Sequence, residues 1–242
     1  MPRRKVKTKK LDITRCASKY FFELGYSSTT PKHICEELGI YTGNLTYYFP
    51  TKEHLLREFV EMLGDFQWKM MEHEANEGIS SILAICLELT AMAAMCDEND
   101  AAKDFYLACY CSPMCLAIIR RNDTARAKEV FQDCCPDWSD EQFAEAELLV
   151  SGIEYATLMT VGTPISLETR IAGALNQILS IYQIPESVRK TKIQKVLAMD
   201  YRGIGRRVFK EFRQYIDETN EQALTALFQA KNGERCDREE TI

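Results

Sequence analysis

The chain is poor in the residues that hydrolytic and metal chemistry draw on. It has three histidines, His33, His54 and His73, and none stands near the cysteine-rich stretch Cys109-Tyr110-Cys111-Ser112-Pro113-Met114-Cys115. No C-x-x-C pair occurs, so structural zinc finds no familiar ligand spacing. G-x-S-x-G, phosphate-loop and H-E-x-x-H patterns are missing as well. The expectation is a protein that is no enzyme and needs no metal or cofactor. Internal repeats and low-complexity tracts are absent. The basic N-terminus is followed by no apolar run, so no secretion signal is read. The longest nearly uncharged stretch, Leu148 to Leu167, is interrupted by Glu154 and holds Gly152, Gly162 and Pro164. A carboxylate at bilayer depth is expensive, so this stretch reads as a buried helix. Ten cysteines lie mostly in apolar helical stripes. A free thiol packs there as a small hydrophobe, and with no leader the expected compartment is a reducing cytoplasm.

What is present is a basic head on an acidic body. The 242 residues are 46% apolar and 27% charged, ordinary for a globular chain large enough for one big core or two domains. Residues 1–52 hold ten Lys or Arg against four acids, a net of +6, while the whole chain carries −6. The other 190 residues therefore carry −12. That asymmetry suits one part meeting phosphate and another that does not. The run Arg3-Arg4-Lys5, with Lys7, Lys9 and Lys10, reads as a basic arm or a solubilising terminus.

The segment from Thr29 to Pro50 reads as a helix-turn-helix. Thr30 caps a short helix that begins at Pro31, where a missing N–H costs nothing. Gly39 supplies the left-handed residue that ends it. A second short helix carries Asn44, Thr46, Tyr47 and Tyr48, and Pro50 stops it. Leu11 to Leu24 precedes both as an apolar-striped helix, with Cys16, Ala17, Phe21, Ile34, Leu38, Leu45 and Phe49 as the shared core.

Residues from about 11 to 56 resemble the DNA-binding domain of the TetR family of bacterial transcriptional regulators. The resemblance is carried by Ala17, Phe21, Gly25, Tyr26, Thr29-Thr30, Ile34, Leu38-Gly39-Ile40, Gly43, Leu45-Thr46-Tyr47-Tyr48-Phe49 and Lys52-Glu53-x-Leu55-Leu56. Pro50-Thr51 and Cys35-Glu36-Glu37 depart from the usual pattern without disturbing the helical periodicity. The resemblance implies an all-α protein: a basic arm and helix-turn-helix head over residues 1–50, then a helical effector-binding and dimerisation body over 51–230. A disordered tail is expected over 231–242.

Within the head, Thr29, Thr30, Thr42, Gly43, Asn44, Thr46, Tyr47, Tyr48 and Lys52 are the expected DNA contacts. The resemblance places Tyr47, Lys52 and Thr29 or Thr30 on phosphates. Thr42, Gly43, Asn44 and Tyr48 are the candidates for base edges, since Asn pairs two-fold with adenine and a Thr methyl meets thymine. The partner implied is a palindromic double-stranded operator.

The body reads as successive helices. Thr51 caps one that runs to about Met71 and suits a lever. Ile79 to Cys96 is apolar nearly all round and therefore buried. Ala101 to about Arg121 is expected to bend at Pro113, and Thr124 to Cys134 to form a short helix. Ser139-x-x-Gln142 fits a capping box for a helix to about Val161. Ser166 caps the next, with the stripe Leu167, Ile171, Ala174, Leu175, Ile178, Ile181 and Tyr182. By resemblance, helices 140–162 and 167–183 form a homodimer interface, with Gly152, Ala156, Ala172 and Gly173 permitting close approach; the same stripe also suits an internal core. Beyond Pro185, helices are expected over Glu186–Met199 and Arg207–Ala230, with Tyr201–Gly205 between them.

Met92, Met95, Cys96, Phe105, Tyr106, Cys109, Tyr110, Tyr155 and Met159 form a soft, aromatic-rich set suited to an adaptable apolar pocket, or to plain core. By family analogy this is the site of a mainly apolar small-molecule effector. Glu88 and Glu154 stand in apolar company, placed either to receive a cationic ligand or to face solvent. The function read from the sequence is a DNA-binding transcriptional regulator, a repressor released by its effector. Two alternatives remain open: a structural DNA-bound protein that recruits a protein partner, and a regulator that senses redox state through its cysteines.

Overall fold

A computed structural model of the protein describes residues 10–77, 81–160 and 164–219. Among the described residues there are eleven helices and no strands. The head comprises α1 (Lys10–Glu23), α2 (Pro31–Leu38) and α3 (Thr42–Tyr48). Thr30 caps α2 by accepting from the His33 amide, and the His33 side chain closes a reciprocal capping box. Gly39 ends α2 at φ 63°, a left-handed backbone that a Cβ disfavours. Cys16, Ala17, Phe21, Ile34, Leu45 and Phe49 are buried as the periodicity requires, and Leu38 is half-buried.

α4 (Lys52–Ala75) leaves the head and runs into the body, capped by Thr51 and ended by Asn76 in the left-handed region at φ 49°. α5 (Ile82–Glu98) is the central helix and packs against α4, α6, α8, α9, α10 and α11. Its near-uniform apolarity is the reason: a helix walled in on all sides has no face to offer water.

Two breaks differ from the sequence expectation. The segment around Pro113 is not one bent helix. α6 (Asp100–Cys111) ends, Ser112 caps a new helix, and α7 (Pro113–Phe131) departs at 87°. Pro113 sits in the first turn of α7, where its ring is tolerated, and α7 absorbs the separate short helix expected over 124–134. Further on, Tyr201–Gly205 is no linker. After α8 (Asp140–Met159), α9 (Leu167–Ile181) and α10 (Glu186–Leu197), α11 runs over Tyr201–Glu218, and those five residues are its first turn. Asp200 caps it by accepting from the Gly203 amide at 2.9 Å. Gly205 faces α5 so closely that a Cβ there would lie 2.6 Å from the Ala91 carbonyl oxygen. Its glycine serves helix packing, not a turn. The Leu224, Leu227 and Phe228 stripe, the tail over 231–242 and the basic arm up to residue 9 lie outside the described residues, while Lys10 begins α1.

The head is wedded to the body by aromatic packing. Phe22 of α1 stacks on Phe209 of α11 with centroids 4.6 Å apart, and Phe105 of α6 meets both rings edge-on. Arg15 of α1 donates from Nη2 to the carbonyls of Asp217 and Thr219, at 2.7 Å each. Lining up α1 with α6 and α11 in this way buries its second face as well as the one used inside the head.

The apolar stripe of α9 turns inward within its own chain. Leu167, Ile171, Ala174, Leu175 and Ile178 are buried, and Tyr182 is 1% exposed, stacked on Phe131 at 4.1 Å. The expected dimer stripe is therefore core. What stands outward from this helix pair is Leu148, Leu149 and Tyr155 of α8, at 52%, 59% and 39% exposure, together with Gly152, Ala156 and Gly173. No single described helix is long and apolar enough to cross a membrane.

Candidate nucleic-acid interface and body cavity

α3 presents its polar face outward because its two apolar anchors, Leu45 and Phe49, are four residues apart and both point into the head. Thr42, Gly43, Asn44, Thr46 and Tyr47 are exposed in consequence, and Tyr48 is half-buried. Tyr47 is 81% exposed, its ring held edge-on to Tyr48 at 5.0 Å. The Thr46 hydroxyl donates back to the carbonyls of Thr42 and Gly43, which turns its methyl away from the helix backbone. Thr30 is exposed at the start of α2, though its hydroxyl is engaged as the cap.

Two residues of the expected contact set are placed elsewhere. Thr29 is fully buried, and its hydroxyl donates to the Gly25 carbonyl at 2.7 Å. Lys52 folds inward: its ammonium donates to the carbonyls of Tyr26 and Thr29 at 2.8 and 3.0 Å and lies 4.0 Å from the Tyr26 ring centroid. Burial there lowers its pKa. Both residues therefore shape the turn that sets α2 and α3, and their charge or hydroxyl is not on the outer face. Tyr41, which the sequence reading did not single out, is 85% exposed beside α3. Lys32 on α2 is exposed as well, 3.7 Å from the exposed Glu36 carboxylate one turn on.

The body encloses a cavity of about 100 Å³ between α4, α5, α6, α7, α8 and α9. Of the expected effector set, Met92, Tyr106, Cys109 and Tyr110 line it. Met95, Cys96 and Phe105 are buried elsewhere, Phe105 in the aromatic cluster joining head and body. Tyr155 faces outward on α8, and Met159, half-buried at its end, stands apart from the cavity. The lining, though mainly apolar, carries more charged groups than the two acids the sequence pointed to. Glu88, Asp123, Glu147 and Glu154 all contribute, with Arg126, Gln67 and Asn122. Asp123 and Glu147 escaped notice because each lies on a helix whose outer face is also charged, and only the crossing of α7 and α8 turns them inward.

These polar groups are partly satisfied by each other. Tyr106 donates to Gln67, which donates to Glu88 at 3.0 Å. Arg126 reaches Glu88 at 3.4 Å and Asp123 at 3.3 Å and donates to the Gly64 carbonyl at 2.6 Å. Tyr110 donates to Glu154 at 2.9 Å, and Tyr182 to Glu147. Burial pushes the carboxyls of Asp123 and Glu154 well above the usual carboxylate range, and that of Glu147 up to about 7.

The nine cysteines among the described residues are free thiols. Burial raises Cys86 and Cys96 to about 12 and Cys115 to about 11, which keeps them protonated and poorly nucleophilic. Cys111 is exposed at the end of α6, and Cys115 is buried in α7 beyond the 87° break.

Residues 13–59 match the sequence model described as bacterial regulatory proteins, tetR family. The head is a TetR-family domain. Similar solved structures include a gamma-butyrolactone receptor (ArpA-like protein), 18% identical with a TM-score of 0.42 over 84% of this chain and 96% of that one. The TetR family protein CprB from S. coelicolor A3(2) is 19% identical with a TM-score of 0.41, over 83% and 96%. Salmonella enterica GusR is 19% identical with a TM-score of 0.44, over 80% and 99%. A search of curated proteins finds no match. The match to the TetR model stops inside α4, so the body and its cavity have to be read from their own residues.

Proposed function

We propose that the protein is a dimeric transcriptional repressor that grips a palindromic operator with α3 and releases it when a small molecule fills the body cavity. The observation that carries the reading is α4, which starts three residues after α3 and supplies Val60, Leu63, Gly64 and Gln67 to the cavity wall. A helix that touches both sites can transmit a change in one to the other, provided the ligand prefers one of its positions. Thr42, Gly43, Asn44 and Tyr48 are the base-reading candidates, with Thr46, Tyr47 and Thr30 toward the sugar-phosphate backbone and Lys32 and Tyr41 beside them. The outward face of α8, with Leu148, Leu149 and Tyr155, supports dimerisation through α8 and α9, because a contiguous apolar patch on a monomer invites a partner. Two matched heads would then meet successive major grooves about 34–36 Å apart.

The structural DNA-bound alternative calls for a solid body, and a cavity lined by charged groups argues against it. The redox alternative is disfavoured by the burial of most thiols. The test is selection of duplexes from random DNA by the full chain, followed by binding measured over a range of salt. A selected palindrome, bound by a dimer with a steep salt dependence, supports the reading. Recovery of unselected sequence, or salt-independent binding, overturns it.

A further inference from the structure

We propose that the body cavity is a site for a small organic amine, whose ammonium group pairs with Glu147, with Glu154 adding negative charge to the same wall, while its apolar part lies against Leu63, Met92, Ile119 and Val150. The inference rests on the reading of this cavity as the effector site and names the chemistry of the effector.

The cavity holds four carboxyl groups and one guanidinium. Arg126 is already shared between Glu88 and Asp123. Among the described residues neither Glu147 nor Glu154 forms an ion pair; each is hydrogen-bonded to a hydroxyl, of Tyr182 and Tyr110, while Arg126 acts on both only through space. They are seven residues apart on α8, hence about two turns and on one face. Glu147 is 3% exposed, and its Oε2 is enclosed with no hydrogen-bond partner. A buried acceptor left unmade is costly, and protonating it exchanges an unmet acceptor for an unmet donor. An ammonium carries three donors and a charge, and meets both needs at once. The rings of Tyr106, Tyr110, Phe131 and Tyr182 also line the space and favour a cation at their faces.

A metal ion fits less well: among the described residues no three His, Cys, Asp or Glu side chains converge as ligands. Size points to a compact molecule. The cavity is about 100 Å³, and an apolar cavity of about 150 Å³ takes up benzene.

Binding should follow pH. The groups facing Glu147 are Glu88 on α5, Tyr106 and Tyr110 on α6, Asp123 and Arg126 on α7, Glu154 on α8 and Tyr182 just after α9. Burial and this excess of acid favour the neutral carboxyl, raising Glu147 to about 7 and Glu154 well above its usual range. An ammonium that enters must therefore displace a proton, and its affinity should weaken as pH falls from 8 to 6.

The experiment is calorimetric titration of the full chain with n-propylamine and n-butylamine, each against its alcohol and its carboxylate, at pH 8 and pH 6. The amines should bind at least tenfold tighter than the alcohols at pH 8, with proton release that depends on the buffer. Glu147→Gln and Glu154→Gln should each weaken amine binding at least tenfold and leave alcohol binding within twofold. Two variants guard against one that fails to fold. Equal binding of amine and alcohol, no binding of either amine, or Gln variants that bind amines like the wild type would overturn the proposal. Duplex affinity measured with and without amine separates the two readings. Carboxylate-dependent amine uptake with unchanged DNA binding sinks the effector reading and keeps the cation site. Release of DNA by an alcohol, insensitive to both Gln variants, does the reverse.

Discussion

Asp104 of α6 holds Ser27 of the head through two hydrogen bonds, accepting from the Ser27 amide at 2.6 Å and from its hydroxyl. α6 also places Tyr106, Cys109 and Tyr110 on the cavity wall. Where α6 ends, the Ser112 hydroxyl donates to Glu53 in the first turn of α4. One helix thus joins the cavity to the turn before α2 and to the start of the lever. Asp104→Ala should keep duplex binding and cavity binding and reduce the effect of one on the other. The measure is the ratio of duplex affinities with and without cavity ligand. A coupling of ordinary size is about 1–3 kcal/mol, and an unchanged ratio would show that the link runs through α4 alone.

The outer face of α3 and the inward Lys52 should separate cleanly by mutation. Asn44→Ala is expected to relax base preference at one position by about 1–3 kcal/mol. Tyr47→Ala should weaken all duplexes alike. Lys52→Ala should leave the salt slope of DNA binding nearly unchanged and lower the melting temperature instead, since it abandons the carbonyls of Tyr26 and Thr29. The stability loss is put at about 1–3 kcal/mol. A salt slope smaller by about one ion for Lys52→Ala would return this lysine to the phosphate contacts.

Leu149 and Leu175 should behave differently when replaced by glutamate. Leu149 is 59% exposed and Leu175 fully buried. Leu149→Glu should give a folded monomer in sedimentation. Leu175→Glu should unfold or aggregate, because an unpaired carboxylate in a packed core costs several kcal/mol. A dimer that survives Leu149→Glu places the interface away from this part of α8.

Glu147 should make the protein less stable as pH rises. Its carboxyl is raised from 4.5 to about 7, chiefly by burial, with the neighbouring Glu88 adding to the effect and the Tyr182 hydroxyl and Arg126 opposing it. Between those two values the folded chain binds more protons at this site than the unfolded chain. Stability therefore falls as pH climbs through the window and is flat above it. The size is on the order of 3 kcal/mol for a shift of about 2.5 units. Thermal melts from pH 4 to pH 8 should show a shallower decline for Glu147→Gln than for the wild type, with the variant more stable at pH 8. Parallel curves would mean that Glu147 is ionised in the fold throughout.

The head was legible because its information is local. Thr30, Pro31 and Gly39 mark where α2 begins and ends through backbone geometry alone, and Leu45 and Phe49 fix which face of α3 turns inward. The capping box at Ser139 and Gln142 was readable for the same reason. Tertiary structure decided what depends on crossings between distant helices. Pro113 starts a helix instead of bending one because the chain turns by 87° at Ser112. Gly203 and Gly205 sit inside α11 because Asp200 caps it and Ala91 of α5 leaves no room for a Cβ at Gly205. The α9 stripe has the same periodicity whether it meets its own core or a second subunit, and only the packing of α5, α8 and α10 against α9 assigns it to the core. Glu88, Asp123, Glu147 and Glu154 come from three helices, and no spacing along the chain brings them together. Helical period reports which residues share a face. What that face meets is set by packing, and here packing set four carboxyls into the wall of a pocket that is otherwise mainly apolar.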